Sequence, residues 1–106
     1  MSMYSYSKAA AKGARWAQET ASVFKILSDP TRCKILKLLV ESRESMCVSE
    51  IAEAVGTTHS AASHQLNGLE TRGVLVSFRE GQTICYEIAD THIARNIVRI
   101  LEVFFM

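Results

Sequence analysis

Apolar residues recur every three or four positions along most of the chain, which is the spacing of one face of an α-helix. Only the stretch from about residue 74 to 88 departs from this pattern. There "VLVSFRE" and "TICYEIA" are rich in β-branched and aromatic residues and are joined by "GQ", which predicts a β-hairpin. The expected fold is mainly α, in the order of four helices, two strands and a last helix. The predicted helices lie at about residues 7–27, 30–42, 48–55, 59–72 and 91–105.

Residues that begin and end helices lie at several of these boundaries. Asp29 and Thr58 are suited to cap the second and fourth helices, and Pro30 suits a first helical position. Gly56 ends the third helix and leaves a short turn before the fourth, so residues 48–72 are expected to form a helix-turn-helix. We also expect Asp90 to cap the last helix and residues 1–6 to be loose.

The predicted helix at 59–72 has two chemically different faces. Its inward stripe is Ala62, Leu66 and Leu69. Small hydroxyls on the other face would let the backbone enter the major groove of DNA, about 12 Å wide, where His and Asn side chains can bond base edges. This face therefore indicates a DNA-binding helix, although a solvated polar helix without a partner would show a similar pattern. The outer residues are His59, Ser60, Ser63, His64 and Asn67.

Composition limits the other classes of function. The chain has 106 residues, expected to form one domain over 1–106, with 12 basic and 11 acidic side chains and a formal net charge of +1. Only a local basic face would then attract nucleic acid. No apolar run reaches the ~20 residues of a membrane span, and the first residues lack the apolar segment of a secretory signal. Three widely spaced cysteines make no disulfide framework, so a cytoplasmic protein with reduced thiols is expected. No nucleophile motif or phosphate-binding loop indicates an enzyme.

The stretches "LSDPTRCKILKLL" and "MCVSEIAEAVGTTHSAASHQLNGLETRGVLVSFREGQTICYEI", followed by "ADTH", resemble the ArsR/SmtB family of small dimeric winged-helix repressors. The resemblance covers about residues 24–92 and is most specific in "SAASHQLNGLETRGVL" with "REGQTICYEI". It implies a winged helix-turn-helix with its wing at about 74–88 and a dimer formed through the helices at 7–27 and 91–105. It places groove contacts at His59, Ser60, Ser63 and His64, a backbone contact at Gln65, and wing contacts at Arg79 and Gln82.

The last predicted helix supports a dimer independently of the resemblance. It has more apolar faces than one small domain can cover, which indicates a second copy as its partner. Its apolar residues are Ile93, Ile97, Val98, Ile100, Leu101, Val103, Phe104 and Phe105.

The resemblance also implies two kinds of metal site, and each is half present. One pairs two thiolates in a Cys-x-Cys. Here Cys47 supplies the first, Ser49 stands where the second would be, and no cysteine precedes Cys33 to complete a soft-metal site. The other joins two last helices across a dimer. Asp90 and His92 supply its first half, whereas Val103 and Met106 occupy the second, so a tetrahedral zinc site is incomplete.

A thiol sensor is a further interpretation. Reactive cysteines need a lowered pKa and access to solvent. Cys33 lies between Arg32 and Lys34, whereas the strand face of Cys85 is uncertain. The sequence does not indicate that any two of Cys33, Cys47 and Cys85 lie close enough for a disulfide.

The sequence thus predicts a homodimeric repressor that binds an inverted-repeat operator on double-stranded DNA and is released by a metal or a thiol-reactive species. One alternative is a winged-helix module that binds another protein. Another is a regulator that responds to no effector and senses no metal.

Overall fold

The computed structural model describes the backbone of residues 3–105 and the side chains of residues 14–105. The predicted order of helices and hairpin is confirmed, with one short strand added. The first helix begins at Met3, so residues 3–6, expected to be loose, are helical. The elements are α1 (Met3–Leu27), α2 (Pro30–Ser42), β1 (Met46–Cys47), α3 (Val48–Val55), α4 (His59–Thr71), β2 (Leu75–Glu80), β3 (Thr83–Ile88) and α5 (His92–Phe105).

Two of the predicted caps are confirmed by their hydrogen bonds. Asp29 Oδ1 accepts from the backbone N–H of Thr31 at 2.8 Å, and Thr58 Oγ1 accepts from the N–H of Ala61 at 3.0 Å. Each bond satisfies an amide that the first helical turn leaves without an intrahelical partner. Gly56 ends α3 with φ at 74°, in the left-handed region that glycine tolerates best.

The prediction that Asp90 caps the last helix is wrong. Thr91 Oγ1 accepts from the N–H of Ala94 at 3.2 Å, so Thr91 is the capping residue of α5. The Thr91 hydroxyl also donates to the carbonyl of Gly73 at 2.6 Å, which fixes the start of α5 beside the end of α4. Asp90 instead forms an exposed ion pair with Arg95, at 2.6 Å.

The sheet has three antiparallel strands rather than the two of the predicted hairpin, in the order β1-β3-β2. The pairing of β2 with β3 runs from Leu75 opposite Ile88 to Glu80 opposite Thr83. On the other edge of β3, Met46 lies opposite Tyr86 and Cys47 opposite Cys85. β1 was not predicted because two residues cannot show a strand periodicity. It joins the wing directly to the start of α3.

One apolar core connects the helices and the sheet. It draws on every helix and on all three strands, so the wing is packed onto the helices at its base. Within residues 3–105 we find no helix with the length and apolar character required to cross a membrane. The largest side chains with under 2% exposure are aliphatic, apart from Cys85: Ile26, Ile35, Leu36, Leu39, Ile51, Leu66, Leu69, Val74, Leu75, Ile97 and Leu101.

Candidate nucleic-acid interface

The inward face of α4 is fixed in the core and its outward face is open. Ala62, Leu66 and Leu69 are fully buried, as their spacing predicted. The N-terminal turn of α4 follows the Thr58 cap, whose hydroxyl and carbonyl accept from Ala61 and Ala62. By helix geometry the two preceding amides point out of the helix start, where they favour an anion such as a phosphate. On the outward face His59, Ser60 and His64 are exposed and Ser63 is half-buried.

Gln65 has a structural bond that the sequence did not reveal. Its Nε2 donates to Asp29 Oδ2 at 3.1 Å, so the amide holds α4 against the start of α2. Burial alone would raise the pKa of the Asp29 carboxyl. The hydrogen bonds from the Thr31 N–H, the Gln65 amide and the Arg32 N–H, with the charge of Arg32, outweigh burial and lower this pKa below its ordinary value. Asp29 therefore stays ionised and keeps accepting the three hydrogen bonds.

Asn67 and Glu70 attach α4 to the wing. The Tyr86 hydroxyl donates to Asn67 Oδ1 at 2.9 Å, and the Ser77 hydroxyl donates to Glu70 Oε2 at 2.5 Å. Burial and the negative charge of Glu70 raise the pKa of Tyr86, so its hydroxyl stays protonated and able to donate. These bonds set the orientation of the wing relative to α4.

A groove of about 470 Å³ lies between the outward face of α4 and the wing. His59, Ser63 and Asn67 line one side, while Gln82 and Thr83 line the other. Arg79 and Gln82 are exposed near the hairpin tip, where Gly81 forms the turn with φ at 64°. Of the residues predicted to contact DNA, His59, Ser63, Asn67 and Gln82 are thus brought together at one groove. Gln65 is turned toward Asp29.

The expectation of three separate reduced thiols is wrong for two of them. Cys47 and Cys85 are joined by a disulfide, with their Cα atoms 3.8 Å apart. The sequence could not show this, because the contact arises from the unpredicted strand β1, which places Cys47 opposite Cys85 in register. Cys85 is only 1% exposed.

Cys33 is a poor candidate for a reactive thiol. Its Sγ donates to the carbonyl of Leu27 at 2.9 Å, so the proton has an acceptor. Burial and the nearby charge of Asp29 raise the pKa of the Cys33 thiol despite the opposing effect of Arg32. At neutral pH the thiol is therefore protonated, and the cationic neighbours seen in the sequence do not activate it.

Asp90 and His92 do not converge on a common ligand position. The Asp90 carboxylate pairs with Arg95, while His92 Nε2 lies 4.0 Å from Glu19 Oε2 of α1. Of the two predicted partners across a dimer, Val103 is an exposed apolar side chain and Met106 lies outside the described residues. Within the described side chains, the cluster of metal-ligand residue types lies elsewhere: Cys47, Glu80 and Cys85, whose sulfur and carboxylate atoms all lie within 4.8 Å of one another while the two sulfurs are joined in the disulfide.

The far end of α5 exposes a large apolar surface. Val103 is 82% exposed, Phe104 70% and Phe105 61%. Trp16 and Phe24 of α1 are also more than half exposed. Large exposed apolar side chains grouped at one end of a helix, as Val103, Phe104 and Phe105 are, indicate an interaction site in soluble proteins.

The region that carries these features is similar to known regulatory proteins. Residues 29–77 match the model of the arsR family of bacterial regulatory proteins. The uncharacterized HTH-type transcriptional regulator MJ1325 of Methanocaldococcus jannaschii is 35% identical over 85 residues, which cover 80% of this chain and 93% of that protein. Two further matched regulators are longer, and the chain spans 57% and 64% of their length.

Solved structures agree with this similarity. The AntR antimony-specific transcriptional repressor is 37% identical with a TM-score of 0.73, over 82% of this chain and 74% of that one. The homodimeric winged helix-turn-helix DNA-binding domain of Mb0332 from Mycobacterium bovis is 32% identical with a TM-score of 0.69, over 86% and 82% of the two chains. The predicted winged helix-turn-helix fold is thereby confirmed.

Proposed function

The chain belongs to the arsR family of bacterial regulatory proteins, and from this premise we propose that it is a sequence-specific transcriptional repressor that binds an inverted-repeat operator as a homodimer. One observation carries the proposal. The outward face of α4 is small, polar and nearly uncharged, and hydrogen bonds to α2 and the wing hold it in one orientation. A fixed helix with short side chains fits the major groove, because its backbone can approach the base edges closely.

The contacts divide by their position on the fold. The groove contacts are the residues on the open face of α4: His59, Ser60, Ser63 and His64. Arg79 and Gln82 are the contacts of the wing with the neighbouring DNA backbone. Gln65 and Asn67 support these contacts by positioning α4, which revises the direct role expected for them.

The apolar end of α5, together with α1, is the proposed dimer surface. Burial of Val103, Phe104 and Phe105 against a second copy would remove them from water, and the similar Mb0332 domain is described as homodimeric. A two-fold axis would then present two copies of α4 to half-sites one helical turn apart, about 34 Å.

An operator-binding experiment tests the proposal. The purified chain is mixed with DNA from the region upstream of its own gene and with scrambled DNA of equal length, across a series of salt concentrations. We expect selective binding to one inverted repeat, with an affinity that falls steeply as salt rises because phosphate contacts release counterions. Binding that does not distinguish the two DNAs would refute the proposal.

A protein-interaction module is the second candidate, and one observation favours it. The net charge of +1 gives no general attraction to nucleic acid. This candidate predicts that neither DNA binds selectively at low salt, whereas the repressor binds its operator there.

An effector that releases the operator belongs to the proposal as well. Zinc bound by Asp90 and His92 is the less favoured effector, because the Asp90 carboxylate already forms an ion pair with Arg95. The double variant D90N and H92A removes both of these ligands, and we expect the effector to release the operator from this variant as it does from the native chain. If that variant no longer releases the operator, the metal site across the two last helices of a dimer is supported instead.

A further inference from the structure

The cysteine pair at the base of the wing lies against a carboxylate. Cys47 ends β1 and Cys85 lies opposite it in β3. Glu80 Oε2 approaches Cys85 Sγ to 3.5 Å, and Thr83 Oγ1 lies 3.6 Å from Cys47 Sγ. Two sulfurs and two oxygens from three chain segments therefore lie close together beside the wing.

This donor set matches a soft metal. Thiolates select soft and borderline cations, and a carboxylate completes a site of low net charge. Sulfurs in a tetrahedral site with metal–sulfur bonds of ~2.3 Å lie roughly 3.8 Å apart. The ligand atoms of Cys47, Cys85 and Glu80 already lie within 4.8 Å of one another, so only small side-chain movements are required once the disulfide is opened.

We propose that Cys47, Cys85 and Glu80 form a binding site for one soft, thiophilic metal cation, which is open when the cysteines are reduced and closed when they are joined. Opening requires a reductant such as a small thiol. Two thiol molecules supply two electrons and two protons, the bond between the Cys47 and Cys85 sulfurs breaks, and the small thiols leave as their own disulfide. The cation then displaces a proton from each cysteine and binds two thiolates.

The site differs from the two that the sequence suggested. It uses Cys47, but its second thiolate comes from β3 rather than from position 49. It also lies apart from Asp90 and His92, whose side chains face Arg95 and Glu19. Cys33 takes no part, because its sulfur donates to Leu27.

Both cysteines connect to the DNA-binding elements. The backbone N–H of Cys47 donates to Glu50 Oε1 at 2.9 Å, so Cys47 is attached to the first turn of α3. Cys85 precedes Tyr86, whose hydroxyl positions Asn67 of α4. Occupation of the site should therefore alter how α3 and α4 are held, and this consequence rests on the proposed function.

The test of binding is independent of DNA. The chain is reduced, separated from the reductant without air, and titrated with cadmium ion while the ultraviolet thiolate-to-cadmium absorption is followed. We expect one cadmium per chain for the native sequence and for C33S, the matched control with one thiol removed elsewhere. C47S and C85S should each lose at least about 100-fold in affinity and E80Q about 10-fold, in line with the 10- to 100-fold cost of altering supporting groups at metal sites. The oxidised chain should show no thiolate absorption.

Tight cadmium binding by either C47S or C85S would overturn the proposal. A second measurement on the native chain avoids dependence on folded variants: reduced protein is alkylated with and without cadmium, and the modified cysteines are mapped. Protection of Cys47 and Cys85 but not of Cys33 supports the site, whereas equal modification with and without cadmium refutes it.

Operator binding is measured last, with the reduced chain and with the reduced chain plus cadmium. Cadmium binding together with a weaker operator affinity in the native chain and in C33S supports the coupling. Cadmium binding that leaves operator affinity unchanged refutes the coupling while leaving the site intact. Absence of selective DNA binding with cadmium binding retained would refute the proposed function alone.

Discussion

Helices α4 and α5 are nearly equal in length, with 13 and 14 residues, and each buries three apolar side chains in the same core. They differ in what they leave outside. α4 presents His59, Ser60 and His64 to solvent, whereas the end of α5 presents Val103 and Phe104. Core packing thus accounts for the buried face of each helix but not for the residues on its exposed face.

The comparison shows how to separate a fold-forming face from a partner-binding face. The exposed side chains of α4 offer hydrogen bonds and little apolar area, which suits a polar groove. Those at the end of α5, Val103, Phe104 and Phe105, offer apolar area and no hydrogen bonds, which suits a second protein surface. The first two experiments below change one outer face and leave the matching inner face alone; the later ones change the bonds that orient α4 and the residues of the wing.

The largest effect is expected for Ser63→Glu on α4. The new carboxylate faces DNA phosphates or base edges in both copies of a dimer, and loss of a good base contact costs about 1–3 kcal/mol each, so operator affinity should fall ~100-fold or more. Thr71→Glu adds the same charge about 12 Å further along the same helix and serves as the control. A fluorescence-anisotropy titration measures both. Normal binding by Ser63→Glu would mean that a different face of α4 contacts DNA.

A change at the end of α5 should separate the copies. Phe104→Glu removes an apolar contact worth about 1.5–3 kcal/mol per copy, so the dissociation constant of the dimer should rise ~100-fold or more. Sedimentation equilibrium measures the assembly state, with Thr71→Glu again as the charge control. The monomer should keep its helical circular dichroism because the buried side of α5 is unchanged. An unaltered dimer would place the interface elsewhere.

A smaller effect is expected for changes to the hydrogen bond that orients α4 than for changes on its exposed face. Tyr86→Phe removes the hydrogen bond to Asn67, a loss of about 0.5–1.5 kcal/mol, and should lower operator affinity by roughly 3- to 10-fold. Asn67→Ala should do the same, and the double variant should be no worse than either single one. Additive losses would show that Asn67 contacts DNA on its own.

The same bond predicts a pH response. The pKa of Tyr86 is raised, so the hydroxyl keeps its proton above the pH at which an unfolded tyrosine ionises. A raised folded pKa gives stability that is fully present below the unfolded value and is lost as pH rises through the folded value. Urea unfolding between pH 8 and 11 should show a steeper alkaline loss for the native chain than for Tyr86→Phe. Parallel curves would contradict the assignment.

The smallest effect is expected at the wing. Arg79→Ala should weaken binding a few-fold and equally for all DNA sequences, and it should reduce the salt slope by about one for each phosphate that the wing no longer binds. Gln82→Ala, a neutral change beside it, should leave that slope unchanged. A weakening confined to the operator would instead mean that Arg79 contacts bases.

The sequence predicted the features that depend on periodicity and local capping. The buried stripe of α4 and the caps Asp29 and Thr58 follow from neighbours two to four residues away, which a linear pattern contains. The pairing of Gln65 with Asp29 spans 36 residues, and that of Cys47 with Cys85 spans 38. Such contacts depend on tertiary packing and on a two-residue strand, and neither leaves a local signal.

Asp90 illustrates a different limit. Asp and Thr are both good capping residues, and they are adjacent here, so composition could not choose between them. Thr91 becomes the capping residue because its hydroxyl also donates to the carbonyl of Gly73, which fixes Thr91 at the helix start.

The bond between Gln65 and Asp29 has a consequence for efforts to redirect this chain to new operators. Asp29 caps α2 and holds α4 with the same carboxylate, so the two helices share a joint. An exchange of the whole of α4 that replaced Gln65 would break this joint and change how α4 is held against α2. Libraries restricted to positions 59, 60, 63 and 64 would keep the joint and vary only the residues proposed to contact DNA.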